Sequence, residues 1–462
     1  MSIPFSLSAL EHVAFVTGGL LIYVLSTHIG GQRRHPSAAI GWVLAIIAFP
    51  YLTIPFFLLL GGRKFARPLP RLWSSQLNEI PLAGPEWAAR LLSVLDVPSI
   101  TTNSQIVFHA NGDDSLHALL VLIQAAQRSV DICTYEFGDD QVGRKVTQAL
   151  IQSADRGVAV RLMVDAIGSL RTPRKILHQL IDAGIQVQHF MPIFHNPFRG
   201  RTNLRNHRKL VIADESWFWS GGRNLAQKYF FCGRGAPSWV DLTFHMQGPI
   251  ALQATELFDR DWKISEAQTN PPLQTGSIKL NPQNERHAQL LPSGPDFSDD
   301  TVYALLLATA YNANQRILAV TPYFVPDETL LSAWCMACRR GVQITLLVPK
   351  QSNHRLADLA RERALRELVN VGGTVYLYPE MIHSKAVIID NQLALCGSVN
   401  LDGRSLFLNF ELMTVFYGAT EIHWLSAWFE KQTAQSELYV PRAPSLGRDI
   451  LEGVVRSVGF QL

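Results

Sequence analysis

The sequence predicts an α/β fold built by internal duplication behind an N-terminal transmembrane hairpin. Three observations predict it. Residues 38–62 form an apolar stretch without a single charge, strand and helix patterns recur in one order in two halves of the chain, and one string of polar residues occurs twice. The string reads His207, Lys209, Asp214, Gly221, Gly222, Asn224 in the first half and His383, Lys385, Asp390, Gly397, Ser398, Asn400 in the second, at identical offsets.

Bulk properties narrow the class. With 462 residues, 47% of them hydrophobic and 17% charged, the chain can bury a large core in more than one unit. A net charge of +3 is far from the strongly basic balance of a nucleic-acid binder, and no nucleic-acid partner is expected. Five cysteines scattered through apolar runs argue for reduced thiols rather than a disulfide framework. Cys335 and Cys338 form a C-x-x-C, but it lies in a helical segment with no second pair, which disfavours a zinc or redox role.

In chain order, residues 1–67 read as the hairpin. The stretch 38–62 is long enough to cross a hydrocarbon core of roughly 30 Å and is expected to be one helix kinked at Pro50 and Pro55. Ala9 to Ile29 is the weaker candidate, because Glu11 and His12 interrupt it. Arg33 and Arg34, with Arg63, Lys64, Arg67 and Arg71, place the body on the cytoplasmic side by a small margin. Residues 68–104, rich in proline, read as a linker around a short helix from Glu86 to Leu95. The body then divides into 105–270 and 271–445. In the first half a helix (Ala118 to Ala126), a strand (Val130 to Phe137), a helix (Val142 to Ala154) and a strand (Val158 to Val164) follow one another. The second half repeats them as Tyr303 to Ala313, Ile317 to Phe324, Glu328 to Arg339 and Val342 to Val348. This alternation predicts buried, mixed sheets flanked by helices, with the active site where the halves meet. Residues 446–462 are spaced as an amphipathic tail, which could lie on a membrane or pack on the body.

Residues 209–213 and 385–389 are β-branched-rich strands, so His and Lys two residues apart share a face. The double motif resembles that of the phospholipase D superfamily. Further pieces resemble bacterial cardiolipin synthases: Asp140-x-x-Gly143, the run Val164 to Ser169, Asn206-His207-Arg208-Lys209, Thr321 to Glu328, and Gly397 to Ser405. Arg223 departs from the family, which generally has an apolar residue there.

The resemblance implies an inner-membrane phosphatidyltransferase that uses phosphatidylglycerol and needs no cofactor or metal. One histidine would attack phosphorus while the other handles the proton of the alcohol. By analogy with the superfamily, His207 is the nucleophile and His383 the acid/base, although the near-equivalent halves leave this open. Lys209, Lys385, Asn224 and Asn400 would hold the phosphoryl oxygens, with Gly222 and Ser398 lining the same site. Asp214 and Asp390 belong to the catalytic motif but sit at the far ends of the strands, where they read as anchors. Asp241 in Trp-x-Asp and Glu411 in Asn-x-Glu are the expected orienting acids. A hydrolase using water would share every one of these residues. The basic residues Arg171, Arg174, Lys175, Arg199, Arg201, Arg205 and Arg208 either gather anionic headgroups or form a solvated loop. The lipid bilayer is the expected partner; oligomeric state is open.

Overall fold

The computed structural model describes residues 9–29, 36–61, 70–73, 83–192, 203–233, 237–265 and 286–457. At the N-terminus, α1 (Ala9–Ile29) is followed by α2 (Pro36–Ala48) and α3 (Pro50–Leu60). The single kinked helix expected over 38–62 is thus two short ones. Pro50 has no N–H to continue the ladder of α2, the backbone breaks at Phe49 (φ −139°, ψ 60°), and the chain folds back. Thr53 Oγ1 donates to the Ala45 carbonyl at 2.9 Å, and the rings of Trp42 and Phe57 lie 5.2 Å apart. Among the described residues only α1 is long and apolar enough to cross a membrane, so the expected pair of spanning helices is not supported.

The stretch 68–104, expected as a linker, is integrated where it is described. Asp96 accepts the backbone N–H groups of Leu72 and Trp73 at 3.0 Å. Helix α4 (Glu86–Val94) buries Ala88 and Leu92 against the second half, and β1 (Thr101–Asn103) joins that half's sheet. Apolar spacing in α4 creates this face, which pattern alone could not assign to a partner.

The first half comprises β2 (Gln105–His109), α5 (Gly112–Ala125), β3 (Ser129–Thr134), α6 (Gln141–Asp155), β4 (Ala159–Asp165), α7 (Arg174–Asp182), β5 (Gln186–Phe190), β6 (Leu210–Ala213), β7 (Trp217–Gly221), β8 (Thr243–Gln247) and α8 (Ile250–Ser265). The second comprises β9 (Arg286–Ser293), α9 (Thr301–Asn312), β10 (Arg316–Val320), β11 (Phe324–Val325), α10 (Glu328–Arg339), β12 (Gln343–Pro349), α11 (Arg355–Asn370), β13 (Thr374–Tyr378), β14 (Ala386–Ile389), β15 (Leu393–Gly397), β16 (Leu401–Asp402), α12 (Gly403–Phe407), β17 (Glu411–Phe416), α13 (Ala419–Thr433) and β18 (Glu437–Leu438). Strand order is β2-β8-β7-β6-β3-β4-β5 in the first sheet, and β9-β17-β15-β14-β10-β12-β13 in the second, which β1 and β18 extend at its edges. Each core sheet pairs its last three strands in parallel and the others antiparallel. The duplication therefore extends to topology. The expected junction at 270–271 lies outside the described residues.

Burial follows the alternation of the strands. Leu210 and Ile212, with Ala386 and Ile388, face a shared core that also takes α8 and α13, so these helices lie between the two sheets. Val211 and Ala213 face the outer helices of their half, as Val387 and Ile389 do in theirs. Asp140 and Asp327, matched in the two halves, cap α6 and α10 through their carboxylates. The tail forms α14 (Leu446–Ser457), which docks on α11 through Val455 and the buried Glu452, bonded to Arg366 and Arg448. Leu446, Ile450 and Leu451 point outward.

Candidate active site

Each histidine is held by the other half of the molecule. The backbone N–H of His207 donates to Phe410 O at 2.8 Å, and that of His383 donates to Val240 O at 2.7 Å. These bridges bring each imidazole to the acid next along the opposing chain. His207 Nδ1 lies 3.0 Å from Glu411 Oε1, and His383 Nδ1 lies 2.7 Å from Asp241 Oδ2. A carboxylate on Nδ1 fixes the tautomer and turns Nε2 away from it, toward the space between the halves.

The two acids are seated differently. A Cβ on Gly222 would meet Asp241 Oδ1 at 2.1 Å, so the missing side chain is what admits the shorter acid. At the matching position Ser398 donates to Glu411, and Asn409 Nδ2 adds a bond at 3.3 Å. Burial alone would raise the Asp241 carboxyl, but His383, Lys385 and Arg223 outweigh it and hold it below its ordinary value.

The lysines accompany the histidines. Lys209 Nζ donates to His207 O at 2.6 Å, while Lys385 Nζ donates to His383 O and lies 2.8 Å from His383 Nδ1 and 3.0 Å from Nε2. Burial lowers Lys209 to about 8 against the pull of Glu411, and lowers Lys385 to about 7 with Lys209 adding to the shift. Burial also brings His207 down to about 4 and His383 to about 3, despite their carboxylates. Both imidazoles are therefore held neutral near pH 7.

Asn224 and Asn400 start the loops after β7 and β15. Asn224 Oδ1 accepts the Glu136 N–H at 3.4 Å, and Asn400 Oδ1 is buried without a hydrogen-bond partner among the described residues. Asp214 and Asp390 do not join the histidines. At the far ends of β6 and β14, Asp214 accepts N–H groups from Gln127, Arg128 and Ser129, and Asp390 from Asn314, Gln315 and Arg316. These bonds pin the starts of β3 and β10.

Two neighbours carried no signal in the sequence: Tyr135 packs edge-on to His207 with centroids 5.1 Å apart, and Tyr229 to His383 at 5.0 Å. Trp239, of the Trp-x-Asp element, lies 5.4 Å from His383. Of the basic residues, Arg171, Arg174 and Lys175 are exposed, and Arg199 and Arg201 lie outside the described residues. Arg205 and Arg208 are not part of any headgroup-collecting surface. They are buried, Arg205 beside Asp165 and Arg208 against Asp261 and Asp296. Arg223 is also buried, and its guanidinium donates to the carbonyls of Tyr229, His109 and Ala110 and to Thr243 Oγ1. Cys335 and Cys338 are free thiols on α10.

Comparison with known proteins agrees with this geometry. A family described as cardiolipin synthase, PLD-like domain, matches residues 119–262 and 306–433, one segment in each half. Cardiolipin synthase A of Shigella boydii is 30% identical over 417 residues, covering 85% of this chain and 86% of that protein. The Escherichia coli protein of the same name matches to the same extent. Among solved structures, phosphatidylserine synthase of Haemophilus influenzae aligns with a TM-score of 0.62 at 15% identity, over 81% of this chain and all of that one, which shows the shared fold. The duplicated sheets, the paired motifs and these matches together show that the chain is an enzyme of the phospholipase D superfamily and belongs to its cardiolipin synthase family.

Proposed function

We propose that this chain transfers a phosphatidyl group from one phosphatidylglycerol to another, yielding cardiolipin and glycerol through a phosphatidyl-histidine intermediate. The observation that carries the reading is the crossed pair of dyads, His207–Glu411 and His383–Asp241. Two imidazoles anchored from opposite halves can act on opposite sides of one phosphorus. In the first step His207 Nε2 bonds to phosphorus while the bond to the glycerol oxygen breaks, and His383 gives that oxygen a proton. In the second, His383 takes the proton from the free hydroxyl of a second phosphatidylglycerol. Its oxygen then bonds to phosphorus and the N–P bond breaks, which restores His207.

His207 is assigned as nucleophile because its side chain is the more open, 12% exposed against 5% for His383. Lys209, Lys385, Asn224 and Asn400 donate to the non-bridging oxygens, and their charge counts for more in this buried site than in water. The enzyme is placed in the bacterial inner membrane with its body on the cytoplasmic face, as the basic flank of the apolar segment favours.

The test is incubation of the purified protein with isotopically labelled phosphatidylglycerol and identification of products by mass spectrometry. Cardiolipin with glycerol is the expected outcome, and phosphatidic acid alone would replace the transferase with a hydrolase. Unchanged turnover in His207→Ala or His383→Ala would sink the two-histidine mechanism.

A further inference from the structure

The N-terminal helices pack with a definite direction. Phe15 lies against Tyr51 with ring centroids 4.7 Å apart, and Tyr23 against Phe57 at 5.2 Å, so α3 runs parallel to α1. Helix α2 runs against both. Gly19 of α1 sits where the two meet, and a Cβ there would touch Ile54 at 2.8 Å and Ile46 at 2.9 Å. At 1.5 Å per residue α1 is about 32 Å long, a full hydrocarbon thickness, and α2 and α3, about 20 and 17 Å long, each fall short of one, with Tyr51 beside His12 (ring centroids 6.0 Å apart) setting the turn between them level with the first turns of α1.

The tip between α2 and α3 suits hydrocarbon rather than water. Residues 48–52 carry no charge, and Phe49 and Leu52 are exposed. The broken ladder is closed internally, since Phe49 N–H and Thr53 Oγ1 both donate to Ala45 O. A turn at membrane depth is tolerated only when its backbone groups find such partners.

We infer that α1 alone crosses the bilayer, and that α2 and α3 form a re-entrant hairpin entering and leaving by the face at which α1 ends. Residue 1 and the catalytic body then lie on opposite faces. The inference rests on the membrane setting of the proposed function, but not on its chemistry. Charge supports it independently. Arg33 and Arg34 precede α2, and Arg63, Lys64, Arg67 and Arg71 follow α3, so a hairpin that returns gathers all of them on one face. Residues 1–8, on the other face, contain no lysine or arginine. Two full crossings would divide the basic residues between the faces, against the usual asymmetry.

Cysteine labelling of the full chain in native membranes tests this. Cys232 is exposed on the body and serves as its reporter, while Ser2→Cys reports the N-terminus and Phe49→Cys the tip. A membrane-impermeant maleimide should modify Cys232 in inverted vesicles and Ser2→Cys in spheroplasts, with adducts located by peptide mass spectrometry. Phe49→Cys should stay unmodified from the face of the body until detergent is added. Failure of Ser2→Cys to react from the face opposite Cys232 overturns the single crossing. Reaction of Phe49→Cys from the face of the body overturns the re-entrant hairpin. A mirror-image pattern keeps the single crossing and overturns only the cytoplasmic placement of the body, so the two readings fail separately.

Discussion

His207 Nδ1 lies 3.0 Å from Glu411 Oε1 although 204 residues separate them, and His383 makes the reciprocal contact with Asp241. Neither half carries a complete dyad of its own. Duplication followed by reciprocal pairing makes the active site depend on the interface between halves, and the residues beside each contact, Asn206 with Phe410 and Val240 with Ile382, are bridged backbone to backbone across that interface.

Glu411→Gln keeps the shape of the side chain while removing its charge, so the histidine loses its electrostatic partner and its tautomer is no longer specified. Turnover should fall by about 10²- to 10⁴-fold with the fold intact, as for comparable losses in other dyads. Combined with His207→Ala it should add little, because residues acting as a unit are not additive. Rates of product formation for the single and double variants check this; multiplicative losses would separate Glu411 from His207.

Gly222→Ala is expected to harm the site from within the first half. The added methyl group would collide with the Asp241 carboxylate, which is buried and tied to His383. Displacement of that kind typically costs about 1–3 kcal/mol of stability. The thermal midpoint should drop and activity should drop further, since the His383 contact is lost. Ser398→Ala, the matching change in the second half, creates no clash and removes a donor to Glu411 and an acceptor of the Leu412 N–H. Its effect should be the smaller of the two in a melting curve.

Arg208 is expected to hold the halves together. Its guanidinium is buried, donates to Asp261, lies 3.6 Å from Asp296, and bonds the carbonyls of Glu411 and Ser293. Arg208→Met would take one charge partner from two buried carboxylates, leaving Asp261 to the Asn206 amide and Asp296 to Arg260, and should cost up to about 3–5 kcal/mol. Adding Asp296→Asn should recover part of that loss. A denaturation midpoint that is unmoved in the single variant would show that the cluster does not secure the interface.

Local features were legible in the sequence, and long-range ones were not. The strands after His207 and His383 follow from spacing and residue type within a few positions. That Glu411 would serve His207, and Asp241 serve His383, depends on how the sheets face each other, which no local pattern encodes. Arg205 and Arg208 looked like surface charge because their partners Asp165, Asp261 and Asp296 are scattered along the chain. The turn at Phe49 was hidden for a different reason: hydrophobicity cannot distinguish a kink at Pro50 from a reversal, and the packing of Trp42 on Phe57 decides it.

Proton supply gives the sharpest test of the two-histidine reading. Burial leaves His207 at about 4 and His383 at about 3, so neither carries a proton near neutrality. The first chemical step nevertheless needs one protonated imidazole to release the alcohol. The proton must therefore arrive with the substrate, whose phosphodiester anion favours the charged form of a neighbouring imidazole and raises its pKa. Inorganic phosphate, a monoanion at about pH 5.5, should reproduce this, and there Lys209 and Lys385, at about 8 and 7, are already largely protonated and contribute little. Titration calorimetry in buffers of different ionisation enthalpy should show uptake approaching one proton per phosphate bound. His383→Ala should abolish the uptake, while His207→Ala should retain it if His383 is the acid. As pH rises through 7 to 8 the lysines lose their protons and phosphate affinity should fall, with the loss moved to higher pH in Lys385→Arg, whose guanidinium stays charged. Phosphate binding without proton uptake would remove His383 from the role of general acid.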